Sequence, residues 1–321
     1  MKNLPEALRA FLSDYALYLI AGHSEPDGDC IASALALRSF LQRRGKEAVL
    51  LSAGPFNRTE TREYAASFRD TLPENMPEQT AVVIVDCSDA GRTGRIAAQI
   101  AGYPTAVIDH HATNSCAGEA DFVDGSIPAS ALLVQHIIEE MSGGVTKQEA
   151  ETLLFGVCTD TGFFRHLDNK SAETFAAVSR LVAAGADPKK TYAKIKNGKS
   201  FSSRLLIAAI LSRMQQYYDG RLIVSFQTLA ETEKYGNEAR DSDSLYQMIQ
   251  AIAGVEAIVV VKQETAETCS VGFRSLDKID VSAVASAFGG GGHKQASGLN
   301  IAGRAEELIP QFVKAFAPQF S

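Results

Sequence analysis

Residues 81–86 read Ala-Val-Val-Ile-Val-Asp86, and residues 105–109 read Thr-Ala-Val-Ile-Asp109. Each is a short, almost wholly apolar run that ends in a carboxylate. Such runs are what strands buried on both faces look like, because neither face has to meet water. Leu17–Ala21 and Ala48–Ser52 have the same character, and helix-like stretches separate the four. That alternation predicts an α/β domain, a parallel sheet with helices on both faces. Ligands of open α/β sheets bind beyond the carboxyl ends of the strands. Asp86 and Asp109 therefore stand where chemistry is done.

Working outward, residues 6–19 repeat apolar side chains at three- and four-residue spacing, which predicts an opening amphipathic helix. Further helices are expected at 129–141, 147–158 and 171–184, the last leaving through Gly185 and Asp187-Pro188. Residues 189–204 then hold Lys189, Lys190, Lys194, Lys196, Lys199 and Arg204 with no acid among them. The domain junction is expected there, with a first domain at 1–188, a linker at 189–204 and a second domain at 205–321. The second domain reads as a smaller α+β module. Its helices are expected near 201–217, 243–253 and 280–288, and its strands at 221–226, 255–262 and 268–274. The last helix runs into Gly289-Gly290-Gly291-Gly292-His293.

The chain has 321 residues and a net charge of −7, with 45% hydrophobic and 21% charged residues, so wholesale disorder is excluded. No apolar run approaches the roughly 18–20 residues of a membrane span, and the start lacks a signal peptide's apolar stretch. The five cysteines form no CxxC pair, which reads as reduced thiols in a cytoplasmic protein. The acidic balance argues against holding long nucleic acid by charge, which needs a basic stripe. It leaves room for phosphate chemistry done with metals.

Four segments carry that chemistry. His23-Ser-Glu-Pro-Asp27-Gly-Asp29 follows a strand and can turn three ligands toward one point. Imidazole plus carboxylates suits Mn²⁺, Zn²⁺ or Fe²⁺. The plainer reading makes Asp27 and Asp29 caps of the helix that begins near Cys30. Asp86, with Asp89 and Arg92 in the following turn, is open to the same plain reading. Asp109-His110-His111 offers two imidazoles pointing different ways, with Asp109 able to hold an imidazole N–H. Asp160 lies between Gly156 and Gly162, which let the backbone come close to a site. Singly each is ambiguous. Together His23, Asp27, Asp29, Asp86, His110 and Asp160 suffice for two divalent ions sharing a carboxylate, a site suited to phosphoester hydrolysis.

The order HxxPDxD, strand-terminal VD, DHH and TDTG resembles the DHH phosphoesterase superfamily. The tail Gly272-Phe273-Arg274-Ser275 followed by GGGGHKQASG resembles its associated C-terminal domain. Together they resemble the nanoRNase/pAp-phosphatase (NrnA-type) group over roughly residues 10–305. The resemblance implies two Mn²⁺ ions on the six ligands above, with Mg²⁺ or Co²⁺ as substitutes. It puts His111, with Asp109, beside the substrate phosphate. Arg274, Ser275, Gly290, Gly291, Gly292 and His293 would hold the substrate's phosphates. The implied substrates are short oligoribonucleotides such as pApA and pGpG, and 3′-phosphoadenosine 5′-phosphate (pAp). Long nucleic acid and membranes are not expected partners, and a homodimer is a compatible assembly. Cyclic-dinucleotide hydrolysis, polyphosphate hydrolysis and nucleotide sensing without catalysis are the rival functions. Two departures stand out: Ala32 where the family has glycine, and Glu25 where Asn is common.

Read without the family, successive glycines permit positive φ and bare N–H groups that bind anions, with His293 and Arg274 as added donors. His136 reads as a packed helix residue and His166 as structural. The lysine-rich stretch reads as a solvated face, or as a border of the interdomain cleft that attracts anions. Cys30, Cys87 and Cys158 read as small packing residues.

Overall fold

The computed structural model describes residues 2–115, 117–276 and 278–320. The chain divides into two compact units, Met1–Gly198 and Lys199–Ser321.

The first unit opens with α1 (Glu6–Asp14), β1 (Leu17–Ala21), α2 (Gly28–Arg43) and β2 (Glu47–Leu51). There follow β3 (Thr80–Val85), the short α3 (Ile96–Ile100), β4 (Thr105–Asp109) and a two-residue β5 (Phe122–Val123). Four helices complete it: α4 (Ser130–Ser142), α5 (Lys147–Asp160), α6 (Ala172–Ala183) and α7 (Pro188–Lys196). The sheet runs β2-β1-β3-β4-β5, every pair parallel.

Side-chain alternation along the strands builds a core on each face. Tyr18, Ile20, Val83, Val85 and Ile108 pack with α1, α2, α4 and α5. Leu17, Leu19, Val82, Ile84 and Val107 face the other way, against Ile96 and Ile100 of α3. The sheet is thus covered on both sides, as its apolar strands require. The opening helix is shorter than its periodicity predicts. It stops at Asp14, and Tyr18 enters the sheet with its hydroxyl donating to Phe11 O at 2.7 Å. The expected junction segment is mostly ordered helix. Lys194 pairs with Glu63 at 2.5 Å and lies 4.4 Å from the Tyr64 ring centroid.

The second unit holds α8 (Phe201–Ser212), β6 (Gln215–Tyr217), β7 (Leu222–Gln227), α9 (Leu229–Tyr235), α10 (Ser242–Gln250), β8 (Ala257–Gln263) and β9 (Thr268–Ser275). After α11 (Val281–Ala287) come β10 (Gly291–His293), β11 (Ala296–Ala302), α12 (Ala305–Ala315) and α13 (Ala317–Phe320). Its mixed sheet runs β10-β11-β9-β8-β7-β6, with only β7 and β8 parallel. The elements beyond residue 293 have no counterpart in the sequence reading. The glycine run is correspondingly not a free loop: Gly291 and Gly292 are in a strand, and Ser297 and Gly298 pair with them.

Candidate metal centre

The carboxyl ends of β1, β3 and β4 deliver the predicted residues to one place. Asp27 precedes α2, and its Oδ1 accepts the Asp29 and Cys30 N–H groups, each at 3.1 Å. It caps the helix and also lies 3.8 Å from His23 Nε2, so the plain and the functional readings describe one carboxylate. Asp29, in the first turn of α2, reaches across to α4. Its two oxygens accept the N–H groups of Ser130 at 2.6 Å and Ala131 at 3.0 Å. That bond pair satisfies the start of α4 and fixes it to α2.

Asp86 is the centre of the cluster. The residue immediately after β3 turns into the left-handed region, with φ 52°. Its Oδ2 lies 3.8 Å from His23 Nε2 and its Oδ1 lies 3.5 Å from His110 Nε2. Each oxygen therefore faces a different imidazole, the disposition of a carboxylate that bridges two ions. Asp160 Oδ2 lies 3.5 Å from the same His110 nitrogen, and Asp29, His110 and Asp160 form one close group. Ligands about 2.0–2.2 Å from a common ion stand roughly 3–3.5 Å apart, close to the separations on the His110 side.

Both imidazoles are held in the tautomer that leaves Nε2 free. His23 Nδ1 donates to Ser24 O at 2.8 Å, and His110 Nδ1 donates to Ile127 O at 3.2 Å. His111 differs. Its Nδ1 donates to Asp109 Oδ1 at 2.7 Å, and Asn114 donates to the other oxygen of that buried carboxylate.

The electrostatics agree with the donor set. Burial pushes Asp86 up to about 6, with Asp27 and Asp160 adding and the histidines opposing. Burial also raises Asp29 well above the ordinary carboxylate range, helped by Asp86, and raises Asp160. Burial works upward on Asp27 too, but the His23 hydrogen bond and charge hold it low. His23 is disfavoured as a cation by burial, yet Asp27 and Asp86 raise it overall. The bond to Asp109 raises His111. Among the described residues, Asp27, Asp86 and Asp160 form ion pairs only with histidine, and Asp29 forms none. Like charges gathered this closely ionise reluctantly unless a cation joins them. His23, Asp27, Asp29, Asp86, His110 and Asp160 thus fit a pair of divalent ions as a donor set.

A cavity of about 260 Å³ opens over Asp86, lined by His23, Ser24, Glu25, Asp27, Arg58, Asp86, Arg92, His110, His111 and Asp160. Arg58 is the residue sequence reasoning missed; it lies in a segment with no periodicity and no motif to mark it. Ser130, whose hydroxyl donates to Asp86 Oδ1 at 3.0 Å, was equally unmarked. Asp89 is not in this cavity; its side chain accepts from Gly91 N at 2.7 Å. His136 lies in α4 beside Phe122, and the ring Nε2 of the exposed His166 lies 3.3 Å from Arg165. Cys30, Cys87 and Cys158 are buried.

The remaining candidates lie in the second unit. Arg274 and Gly291 line a trough of about 360 Å³ with Ser242, Tyr246, Lys262, Gly272, Ala296, Ser297 and Gly298. Ser275 does not line it; its hydroxyl donates to Ile279 O at 2.7 Å. A side chain at Gly290 would meet Leu299, and one at Gly292 would meet the backbone of Ala296 and Ser297. Those two glycines answer to packing of the hairpin. His293 is exposed at the end of β10.

Comparison with known proteins follows the same division. The N-terminal domain of the DHH family matches residues 18–157, and the DHHA1 domain matches residues 219–321. A bifunctional oligoribonuclease and PAP phosphatase, NrnA, of Thermus thermophilus is 30% identical over 94% of this chain and 89% of its own length. The cyclic-di-AMP phosphodiesterase PdeA of Listeria monocytogenes is 24% identical over 95% of this chain, which spans about half (49%) of that protein. The crystal structure of an exopolyphosphatase-related protein from Bacteroides fragilis superposes with a TM-score of 0.80 at 24% identity, covering 100% of this chain and 99% of that one.

Proposed function

The chain belongs to the DHH family, within its NrnA-type group, and from that premise we propose a metal-dependent phosphoesterase that hydrolyses short oligoribonucleotides and pAp. The observation that carries the reading is Asp86, whose two oxygens face two imidazoles held with Nε2 free. His23, Asp27 and Asp86 would hold one divalent ion, and Asp86, Asp29, His110 and Asp160 the other. Two such ions, Mn²⁺ in the first instance, would lower the pKa of a shared water and neutralise charge developing on phosphoryl oxygens.

The chain's own residues supply the rest. Asp109 fixes the His111 ring and favours its protonated form, so the second ring nitrogen can donate to a phosphoryl or leaving oxygen. Arg58 and Arg92, on the cavity wall, offer guanidinium donors to a phosphate seated over Asp86. Ser130 and the α4 N-terminus keep the bridging carboxylate and Asp29 in register. A cavity of about 260 Å³ suits a phosphate with part of a nucleoside better than a long strand.

The relatives' names supply the substrate panel: pApA, pAp, c-di-AMP and polyphosphate, each incubated with the protein and Mn²⁺ while AMP and phosphate release are followed. Turnover of pApA and pAp above the other two is expected. Faster cleavage of c-di-AMP than pApA would replace the reading with that of the Listeria relative. No turnover of any of the four would overturn it.

A further inference from the structure

A second hollow in the first unit, of about 660 Å³, holds none of the candidate metal ligands. It opens beyond the carboxyl end of β2, the strand next to β1. Only a thin wall divides it from the metal cavity. Ser24 and Glu25 line that cavity, and Ala53 and Gly54 line the second hollow. The Glu25 N–H donates to Gly54 O at 3.0 Å. A side chain at Gly94 would meet Ala53 Cβ at 3.1 Å and Ser24 Cβ at 3.4 Å. Phe56 lines one hollow and Arg58, two residues on, lines the other. A molecule with its phosphate over Asp86 thus has a neighbouring hollow for its other end.

The walls are pinned from behind. The Arg69 N–H donates to Leu50 O and the Ser52 N–H donates to Arg69 O, each at 2.9 Å, so this segment runs bonded along β2. Gln99 of α3 donates to Asp70 O at 3.0 Å and accepts from the Leu72 N–H at 3.2 Å. Small-molecule sites are largely formed before the ligand arrives, and this hollow meets that condition.

Two chemistries meet in the lining. Phe56 and Phe68 are half-buried, with ring centroids 5.4 Å apart. Flat apolar rings suit a flat aromatic ligand, and stacking of this kind accepts any nucleobase. The polar side chains are more selective. The Arg69 guanidinium has no hydrogen-bond or ion-pair partner among the described residues. Asp70 Oδ2 accepts from Arg95 at 2.7 Å, which leaves Oδ1 as an acceptor beside the Arg69 donors. Guanine matches that pair: its O6 accepts, and its neighbouring N1–H and amino group donate. Arginine reads guanine O6 and N7 more often than any other base contact, whereas adenine turns an amino donor toward it.

We propose that this hollow is a guanine-selective nucleobase site. Phe56 and Phe68 stack the base of the nucleotide whose phosphate sits over Asp86, and Arg69 with Asp70 reads its edge. The proposal rests on the phosphoesterase reading for the place of that phosphate. It adds a base preference that the metal centre by itself does not supply.

The chain contains no tryptophan, so Phe56→Trp puts a single fluorescent reporter on the stacking surface. Titrating this variant with GMP and with AMP in the presence of Mn²⁺ should quench the emission, with GMP about tenfold tighter. Arg69→Ala in the same background should abolish the preference and keep the quenching. A second arm leaves Phe56 in place and so does not depend on how the tryptophan variant folds. In the wild type, kcat/KM should favour pGpG over pApA by about tenfold, and Arg69→Ala should level the two through KM. Unquenched emission while dinucleotides are still hydrolysed, or equal affinity for GMP and AMP, would overturn the base site and leave the hydrolytic reading intact. An Arg69-dependent preference for GMP in a protein that hydrolyses neither dinucleotide would support the site and overturn the phosphoesterase reading instead.

Discussion

At Asp86 the chain leaves a buried strand with φ 52°, and at Glu25 it turns with φ 53°. The left-handed region costs a residue with a Cβ roughly 1–2 kcal/mol, less for Asn and Asp, whose short polar side chains bond locally. For Asp86 that conformation accompanies a carboxylate facing two imidazoles, so the strain sits at the centre of the site. Glu25 has no such compensation among its contacts, and its conformation gives a physical reason why Asn would suit this position. Glu25→Asn is expected to raise stability by about 0.5–1 kcal/mol in chemical denaturation. An unchanged or lower midpoint would show that the turn tolerates Glu without strain. At this scale the carboxylates and histidines were legible, because polar residues at the ends of apolar strands have few structural reasons to be there. Arg58 and Ser130 were not, since nothing in their neighbours' spacing marks them.

At the scale of elements, Asp160 depends on how closely α5 lies against α2. A side chain at Gly156 would meet Ala32 Cβ at 2.7 Å, Ala131 Cβ at 3.0 Å and an Asp29 oxygen at 3.1 Å. Gly156 is therefore needed where three helices converge beneath the candidate metal ligands. The sequence reading puts Gly156 inside a helix ending at residue 158 and Asp160 in the glycine-flanked turn beyond it, whereas α5 remains helical through Asp160. Gly156 and its helix were legible, but the last two residues that carry Asp160 were not, because a helix end is set by its surroundings more than by its own residues. Ala32, the departure from the family's glycine, packs against this same point. Gly156→Val is expected to destabilise the fold by about 1–3 kcal/mol through overpacking and to weaken divalent-ion binding as Asp160 shifts. Thermal melts with and without Mn²⁺ measure both; a loss of stability with unaltered Mn²⁺ affinity would separate Asp160 from that contact. The glycine run gives the converse case. Its composition was legible, but strand register, which decides that Gly291 floors a trough while Gly290 and Gly292 serve packing, is set by partners distant in sequence.

For the whole molecule, the net charge of −7 hides a concentration of carboxylates that bind protons too tightly for comfort when no cation is present. Asp29, Asp86 and Asp160 are raised above their unfolded values, and so are His23 and His111. The native metal-free protein therefore binds more protons than the unfolded chain between about pH 4 and 7, and its stability rises as pH falls through that window. His166, lowered by burial, opposes this with one proton. The depressed Asp27 and Asp109 lose their contribution only below about pH 4. In EDTA the melting temperature should climb from pH 7.5 to 5.5. With saturating Mn²⁺ it should fall over the same range, as protons compete for the ligands. A falling midpoint in EDTA would mean that the carboxylates are not held as the structure has them.

The proposed two-ion hydrolytic centre is tested most directly by restoring metal to stripped protein and following pApA hydrolysis, with Asp86→Ala alongside. Activity is expected to be absent in EDTA, to return with added Mn²⁺ and to level off at two ions per chain, while Asp86→Ala stays inactive at every concentration. Turnover that survives metal removal, or an Asp86→Ala variant as active as the wild type, would contradict it.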